Sequence, residues 1–278
     1  MVEKISLLIC TNGTSQSQPA LEYGMWLAGQ VKSPVRLLGI LETKPRETIL
    51  NQVLSRARTQ LTEMKIPYDL VLQRGGLETL IPEHTKKQNI LAVGGPLGRP
   101  VLMRTVRGRS IRRILKNISV PLLYTRTNPG KMENILLCVG STEHSLAMVR
   151  LALQLAAKSK SAVTLLHINP PGPYATSPRR EAQSNLLDQL QSDSPQARNM
   201  QTALDLIKKQ KLKGRVVARQ GRRADQIVSE AKSGNYDLVG LGSLYGPRGL
   251  RNLGSIDVTA TVAEQLDIPI LIARTRAA

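Results

Sequence analysis

Short apolar runs alternate with longer amphipathic stretches along the whole chain. Ile5–Cys10, Val35–Leu41, Tyr68–Gln73, Ile90–Gly94 and Val120–Tyr124 read as strands. Pro19–Val31, Thr48–Met64, Leu77–Lys87 and Ser110–Lys116 fill the gaps with helical periodicity. The pattern then begins again. Ile135–Val139, Ala162–Ile168, Arg215–Arg219, Leu238–Leu241 and Ile270–Ala273 read as strands. Ser145–Lys158, Ala182–Lys211, Ala224–Ser233 and Val258–Leu266 read as helices. Nearly continuous apolar strands separated by helices predict parallel sheets covered on both faces.

The repetition predicts two doubly wound α/β domains, residues 1–127 and 132–278, joined by the turn-rich linker Thr127-Asn128-Pro129-Gly130-Lys131. Val120-Pro121-Leu122-Leu123-Tyr124 and Ile268-Pro269-Ile270-Leu271-Ile272 close the two halves, and each would leave an exposed edge if unpaired. The expected arrangement is an internal pseudo-dimer in which these last strands pair; a homodimer of such chains is the further option. The halves differ after the second strand. There the second half carries Pro170-Pro171-Gly172-Pro173 through Ser177-Pro178, which cannot be helix and predicts a mobile loop.

Two glycine stretches stand at matching places. Gly95, Gly98 and Gly108 follow the strand at Ile90–Gly94, and Gly242, Gly246 and Gly254-Ser255 follow that at Leu238–Leu241. A strand, a glycine loop and a helix start make a candidate phosphate cradle, because free N–H groups at a helix N-terminus attract anions. The plain alternative is a tight turn. Pro96 and Pro100 each remove a donor from the first loop, and no Walker-type Gly-Lys-Ser/Thr is present.

Charge changes the picture next. The chain carries 39 Lys and Arg against 20 Asp and Glu, a formal net charge of +19. Residues 1–128 hold 19 and 8 of these, so both halves are basic and neither is a neutral domain with a basic tail. Such a field favours anionic partners. Arg109, Arg112, Arg113 and Lys116 share one helical face, opposite Ile111, Leu115 and Ile118. Like charges there repel, and they crowd a helix N-terminus, so an anion would relieve them. Arg112, Arg113 and Lys116 are therefore anion-binding candidates, against the plainer reading of a solvated face.

Other chemistry is thin. Cys10 and Cys138 end matching strands and read as packing residues of a reducing compartment. His84, His144 and His167 lack metal-ligand spacing, so no metal site is expected. Ser141 and His144 have no acidic partner, and Ser141 or Thr142 is better read as a helix cap. The start of the chain is unlike a signal peptide, and no apolar run approaches the roughly 18–20 residues that span a bilayer. The expectation is a cytoplasmic protein without membrane insertion.

The glycine spacing resembles the universal stress protein family in tandem form. The family motif is Gly, two residues, Gly, nine residues, then Gly and Ser/Thr. Gly95, Gly98 and Gly108 keep it, with Arg109 at the hydroxyl position and Ser110 one place later. The second half keeps Gly254-Ser255 but spaces Gly242, Gly246 and Gly254 differently. Nucleotide-binding members usually carry Asp at the end of the first strand; Asn12 and Val139 stand there. The resemblance implies a fold like that of the adenine-nucleotide alpha hydrolases. It implies a stress-response protein that binds ATP or AMP, with Mg²⁺ only alongside ATP, or a degenerate relative that does not bind. The expected site residues are Asn12, Gly95, Gly98, Gly108, Arg109 and Ser110, favoured over Gly242, Gly246, Gly254 and Ser255. No catalytic constellation is visible beyond slow ATP hydrolysis. The alternative is a polyanion-binding protein whose basic surface meets nucleic acid or an acidic protein.

Overall fold

The computed structural model describes residues 5–41, 47–85, 90–97, 110–118, 120–169, 192–242 and 253–273. They divide into two compact units, one running to Gly130 and the other beginning at Lys131. The first contains β1 (Ser6–Thr11), α1 (Gln18–Val31), β2 (Val35–Leu41), α2 (Glu47–Glu63), β3 (Tyr68–Arg74), α3 (Leu77–His84), β4 (Ile90–Gly94), α4 (Ser110–Asn117) and β5 (Leu122–Tyr124). Its strands run parallel in the order β3-β2-β1-β4-β5. The second contains β6 (Asn134–Cys138), α5 (Glu143–Ser159), β7 (Ala162–Asn169), α6 (Pro195–Lys209), β8 (Gly214–Gln220), α7 (Arg223–Ser233), β9 (Leu238–Gly242), α8 (Leu253–Gln265) and β10 (Ile270–Ala273). Its order is β10-β9-β6-β7-β8, again parallel.

The sequence pattern explains this layering. Leu7 to Cys10 of β1 are at most 1% exposed, so both faces of that strand are covered. A strand buried on both faces reads as one apolar run, and helices on both sides are what cover it. β3 lies at the sheet's end and mixes half-buried with exposed positions instead. In each unit the chain winds outward on one side of the first strand and then returns on the other. The switch falls between β1 and β4, and between β6 and β9. Ligands of open parallel sheets bind at the carboxyl ends of the strands at such a point.

Two expectations need correction. The periodicity from Ala182 to Lys211 predicts one helix, whereas α6 begins at Pro195, after non-helical residues 192–194. Ser194 caps it by accepting from the Ala197 N–H at 3.1 Å, and Pro195 takes the first turn, where its missing N–H costs nothing. At α5, Thr142 occupies the N-cap position, but neither its side chain nor that of Ser141 caps the helix. Ser145, inside the first turn, accepts the Gly140 N–H at 2.7 Å instead. The stretch Pro170–Pro178 lies outside the described residues. Among the described residues no helix is long and apolar enough to cross a membrane.

Four helices end in the same unusual way. Lys32, Lys65, Lys160 and Lys211, just after α1, α2, α5 and α6, have φ of 50–55°. Lys32 and Lys160 each donate a backbone N–H back to the last turn, to Ala28 and Ala156.

The buried carboxylate of Asp237 fixes where β6 starts. Its Oδ2 accepts the backbone N–H groups of Glu133 at 2.8 Å and Asn134 at 3.0 Å, and Lys131 Nζ lies 3.6 Å from Oδ1. Asp237→Asn keeps the shape but weakens both bonds by removing the charge. It is expected to lower the second unit's stability by about 1 kcal/mol, read from the urea midpoint. No change would mean that water serves the two N–H groups equally well.

Candidate functional site

At the switch point of the second unit there is a cavity of about 130 Å³. Its apolar wall comes from Val139, Leu166, Ile168, Ile227, Leu241 and Val258. Its polar groups are Ser141, Thr142 and Ser145 at the start of α5, Gln196 of α6, Arg223 of α7 and Thr259 of α8. Two amide side chains of α6 hold the loop after β6 in place. Gln196 Nε2 donates to the Val139 carbonyl at 3.0 Å. Asn199 Nδ2 donates to the carbonyls of Gly140 and Thr142, at 2.9 and 3.1 Å. The carbonyls of Val139, Gly140 and Thr142 are thereby occupied, while the hydroxyls of Ser141 and Thr142 make no hydrogen bond among the described residues.

Electrostatics gives this cavity a sign. Arg223 opens α7, where the positive end of the helix dipole disfavours a cation. It is exposed and has no ion pair among the described residues, unlike neighbouring Arg222, which lies 3.7 Å from Asp225. No carboxylate lines the cavity among the described residues. Arg223 and the α5 N-terminus together make the cavity attractive to an anion. Cys138 also lines it, but burial, and then the Glu230 carboxylate, push its thiol well above the usual range. It is a packing group there, as Cys10 is, whose thiol burial pushes up to about 12.

The residues expected from sequence are distributed unevenly. Gly242 ends β9 at the cavity wall. A Cβ there would lie 2.7 Å from the Ser145 nitrogen and 2.8 Å from its Cα, so the glycine first of all admits the start of α5. Gly254 and Ser255 fall in the first turn of α8, and Gly246 lies outside the described residues. In the first unit, Asn12 is buried and committed. Its Nδ2 donates to the Leu97 carbonyl, and its Oδ1 accepts from the Thr14 N–H at 3.2 Å and hydroxyl at 2.7 Å. A Cβ on Gly95 would collide with the Thr125 carbonyl. Ser110 opens α4, while Gly98, Gly108 and Arg109 lie outside the described residues.

The basic face of α4 is also partly committed. Arg113 pairs with Glu78 of α3 at 2.6 Å, so an acid from another helix already meets part of that charge. Arg112 has interactions of its own, and Lys116 is exposed. Sequence reading did not single out Gln196, Asn199 or Arg223. The Ser194-Pro195 pair was the available signal, since it starts a new helix whose first turns reach the loop after β6. Among the described residues no three His, Cys, Asp or Glu side chains gather to hold a metal ion.

A model described as the universal stress protein family matches residues 131–274. No curated protein matches the chain. Among solved structures, a universal stress protein from Archaeoglobus fulgidus DSM 4304 is similar, with TM-score 0.69 and 12% identity over 97% of this chain and 96% of that one. A functionally unknown protein from Pseudomonas aeruginosa PAO1 gives TM-score 0.67 and 16% identity over 97% and 92%. The cytoplasmic domain of a prokaryotic cation chloride cotransporter gives 0.55 and 15% over 98% and 96%. At these identities the likeness is one of fold.

Proposed function

The chain belongs to the universal stress protein family, and from that membership we propose a stress-response protein that binds an adenine nucleotide at the ends of β6 and β9. The carrying observation is the cavity at the second unit's switch point, which combines an apolar wall with the unpaired Arg223. Its 130 Å³ is below the roughly 300–1,000 Å³ of complete ligand pockets. It suits one ring system of the ligand, with the remainder reaching outward past Ser141 and Thr142. The base packs on Ile168, Ile227 and Val258, and phosphate meets Arg223 and the start of α5. Mg²⁺ enters only on the phosphates of ATP, because the described lining offers it no carboxylate.

This choice differs from the preference drawn from glycine spacing. The first half's spacing is the more regular, but Asn12 is held by Leu97 and Thr14. A ribose hydroxyl would have to displace one of those partners. Calorimetry with AMP, and with ATP in the presence and absence of Mg²⁺, tests the reading. Arg223→Ala is expected to weaken binding roughly tenfold, the worth of one charge-assisted hydrogen bond. Val258→Trp, which fills the cavity mouth, is expected to abolish it while circular dichroism stays native. Binding lost in Arg109→Ala but kept in both of these variants would move the site to the first half. No heat at millimolar nucleotide would end the proposal.

A further inference from the structure

The first unit holds a second concavity, a groove of about 290 Å³ lined by Glu22, Met25 and Trp26 of α1 and by Gln60, Glu63 and Met64 at the end of α2. Both triplets have the spacing i, i+3, i+4, which places each on one side of its helix. Trp26 is half-buried, and behind it the fully buried Tyr23 stacks at 5.2 Å between centroids and 10° between planes. The indole is therefore a fixed platform. Gly29, one turn on from Met25, leaves room for Met64. A Cβ there would lie 2.6 Å from the Met64 methyl, so the glycine leaves the thioether the space it occupies against α1.

The charge of the groove is opposite to that of the chain. In a molecule of net charge +19, the groove has no Lys or Arg among the described residues of its lining, which place two carboxylates beside the aromatic Trp26. Glu22 accepts from neutral amides, Gln18 Nε2 at 2.9 Å and Asn128 Nδ2 at 3.4 Å. Neither Glu22 nor Glu63 has an ion pair among the described residues. Both carboxylates are exposed and solvated; what sets this place apart is that they flank an aromatic ring and two thioethers in one concavity. The ring face attracts cations as the carboxylates do, and the thioethers contact apolar groups, so the lining combines the two chemistries.

We propose that this groove binds an organic ammonium with an apolar body. The ammonium lies over Trp26 between Glu22 and Glu63, and the methyl or methylene groups pack on Met25 and Met64. An inorganic cation gains the carboxylates and the ring face but no apolar contact, and it is opposed by the chain's overall field. An apolar body adds the contact that outweighs that opposition. Aliphatic diamines and quaternary amines both carry this chemistry. The site is separate from the β6–β9 cavity, and its success or failure leaves the nucleotide reading untouched.

Trp26 is the chain's single tryptophan, so its fluorescence reports on the groove directly. The full chain is titrated with cadaverine, choline and ammonium chloride at constant ionic strength, with calorimetry as the second measurement. A saturable change with cadaverine or choline, and none with ammonium chloride, is expected. Tighter cadaverine binding assigns the site to diamines that use both carboxylates; tighter choline binding assigns it to quaternary amines held by the ring. Glu22→Gln and Glu63→Gln should each weaken binding severalfold, and the double variant by roughly tenfold or more. Trp26→Leu should lose the calorimetric signal while circular dichroism stays native. An equal response to ammonium chloride, no response to either amine, or full affinity in the double Gln variant would overturn the proposal.

Discussion

Glu230→Gln is expected to cost the second unit about 3–5 kcal/mol, the usual consequence of leaving a buried charge without its partner. Arg219 of β8 and Glu230 of α7 are both nearly enclosed, with side chains 9% and 6% exposed. Arg219 Nε donates to Glu230 Oε2 at 2.8 Å, and Nη2 contacts the same oxygen. Tyr236 donates its hydroxyl to Oε1 at 2.9 Å, and burial pushes that phenol's pKa up, so it keeps its proton. Arg215 extends the chain by donating Nη2 to the Tyr236 oxygen at 3.2 Å and Nε to Thr164 Oγ1 at 3.0 Å. The glutamine cannot balance the guanidinium, which then lies buried and unpaired. The loss appears as a lower urea midpoint for the second unit. The paired replacement Arg219→Met with Glu230→Leu should recover most of it, because burying no charge is cheaper than burying one alone. A Gln variant within 1 kcal/mol of wild type would show that water reaches Arg219.

Gly242→Val should destabilise the same unit by about 3 kcal/mol, at the upper end of ordinary overpacking. The obstacle is backbone. A Cβ at Gly242 meets the nitrogen and Cα of Ser145 and the carbonyl carbon of His144, at 2.7–2.9 Å. Rotamer changes cannot relieve that contact, so the start of α5 must move, and with it the wall of the cavity. Stability and nucleotide affinity should therefore fall together, with the stability loss present when no ligand is added. A glycine kept only for close approach of a ligand behaves differently, losing affinity at full stability. That second pattern would refute the packing role and return Gly242 to the phosphate cradle read from sequence.

Much of this architecture was legible in the chain. Ile135–Leu137 and Leu91–Val93 are uninterrupted apolar runs because those strands are covered on both faces, and burial of that kind is written in the residues themselves. The long amphipathic stretch to Lys211 concealed the start of α6, since a periodic pattern continues through the Ser-Pro pair at which that helix begins. The site was less readable for a different reason. Asn12 reaches Leu97, Arg113 reaches Glu78, and Asn199 reaches the loop after β6. Each partner is distant in sequence, and nothing local to either residue announces it. Spacing identifies the turns a ligand could approach. It does not say which of their groups the protein already uses.

The four lysines in left-handed conformation change the meaning of the net charge. Helices that end in this conformation usually do so with glycine, which enters that region without strain. Here Lys32, Lys65, Lys160 and Lys211 do so, against a penalty of about 1–2 kcal/mol each. Each brings a positive charge to the negative end of a helix dipole, which returns roughly 0.3–1 kcal/mol. Part of the basicity thus sits at helix ends, where the dipole offsets some of the backbone cost. Mutational drift that lowers the isoelectric point at these positions, by exchange for glycine, meets no resistance from folding. At these four positions the chain carries surface charge where its backbone would accept glycine more readily, so charge is retained against a local conformational cost.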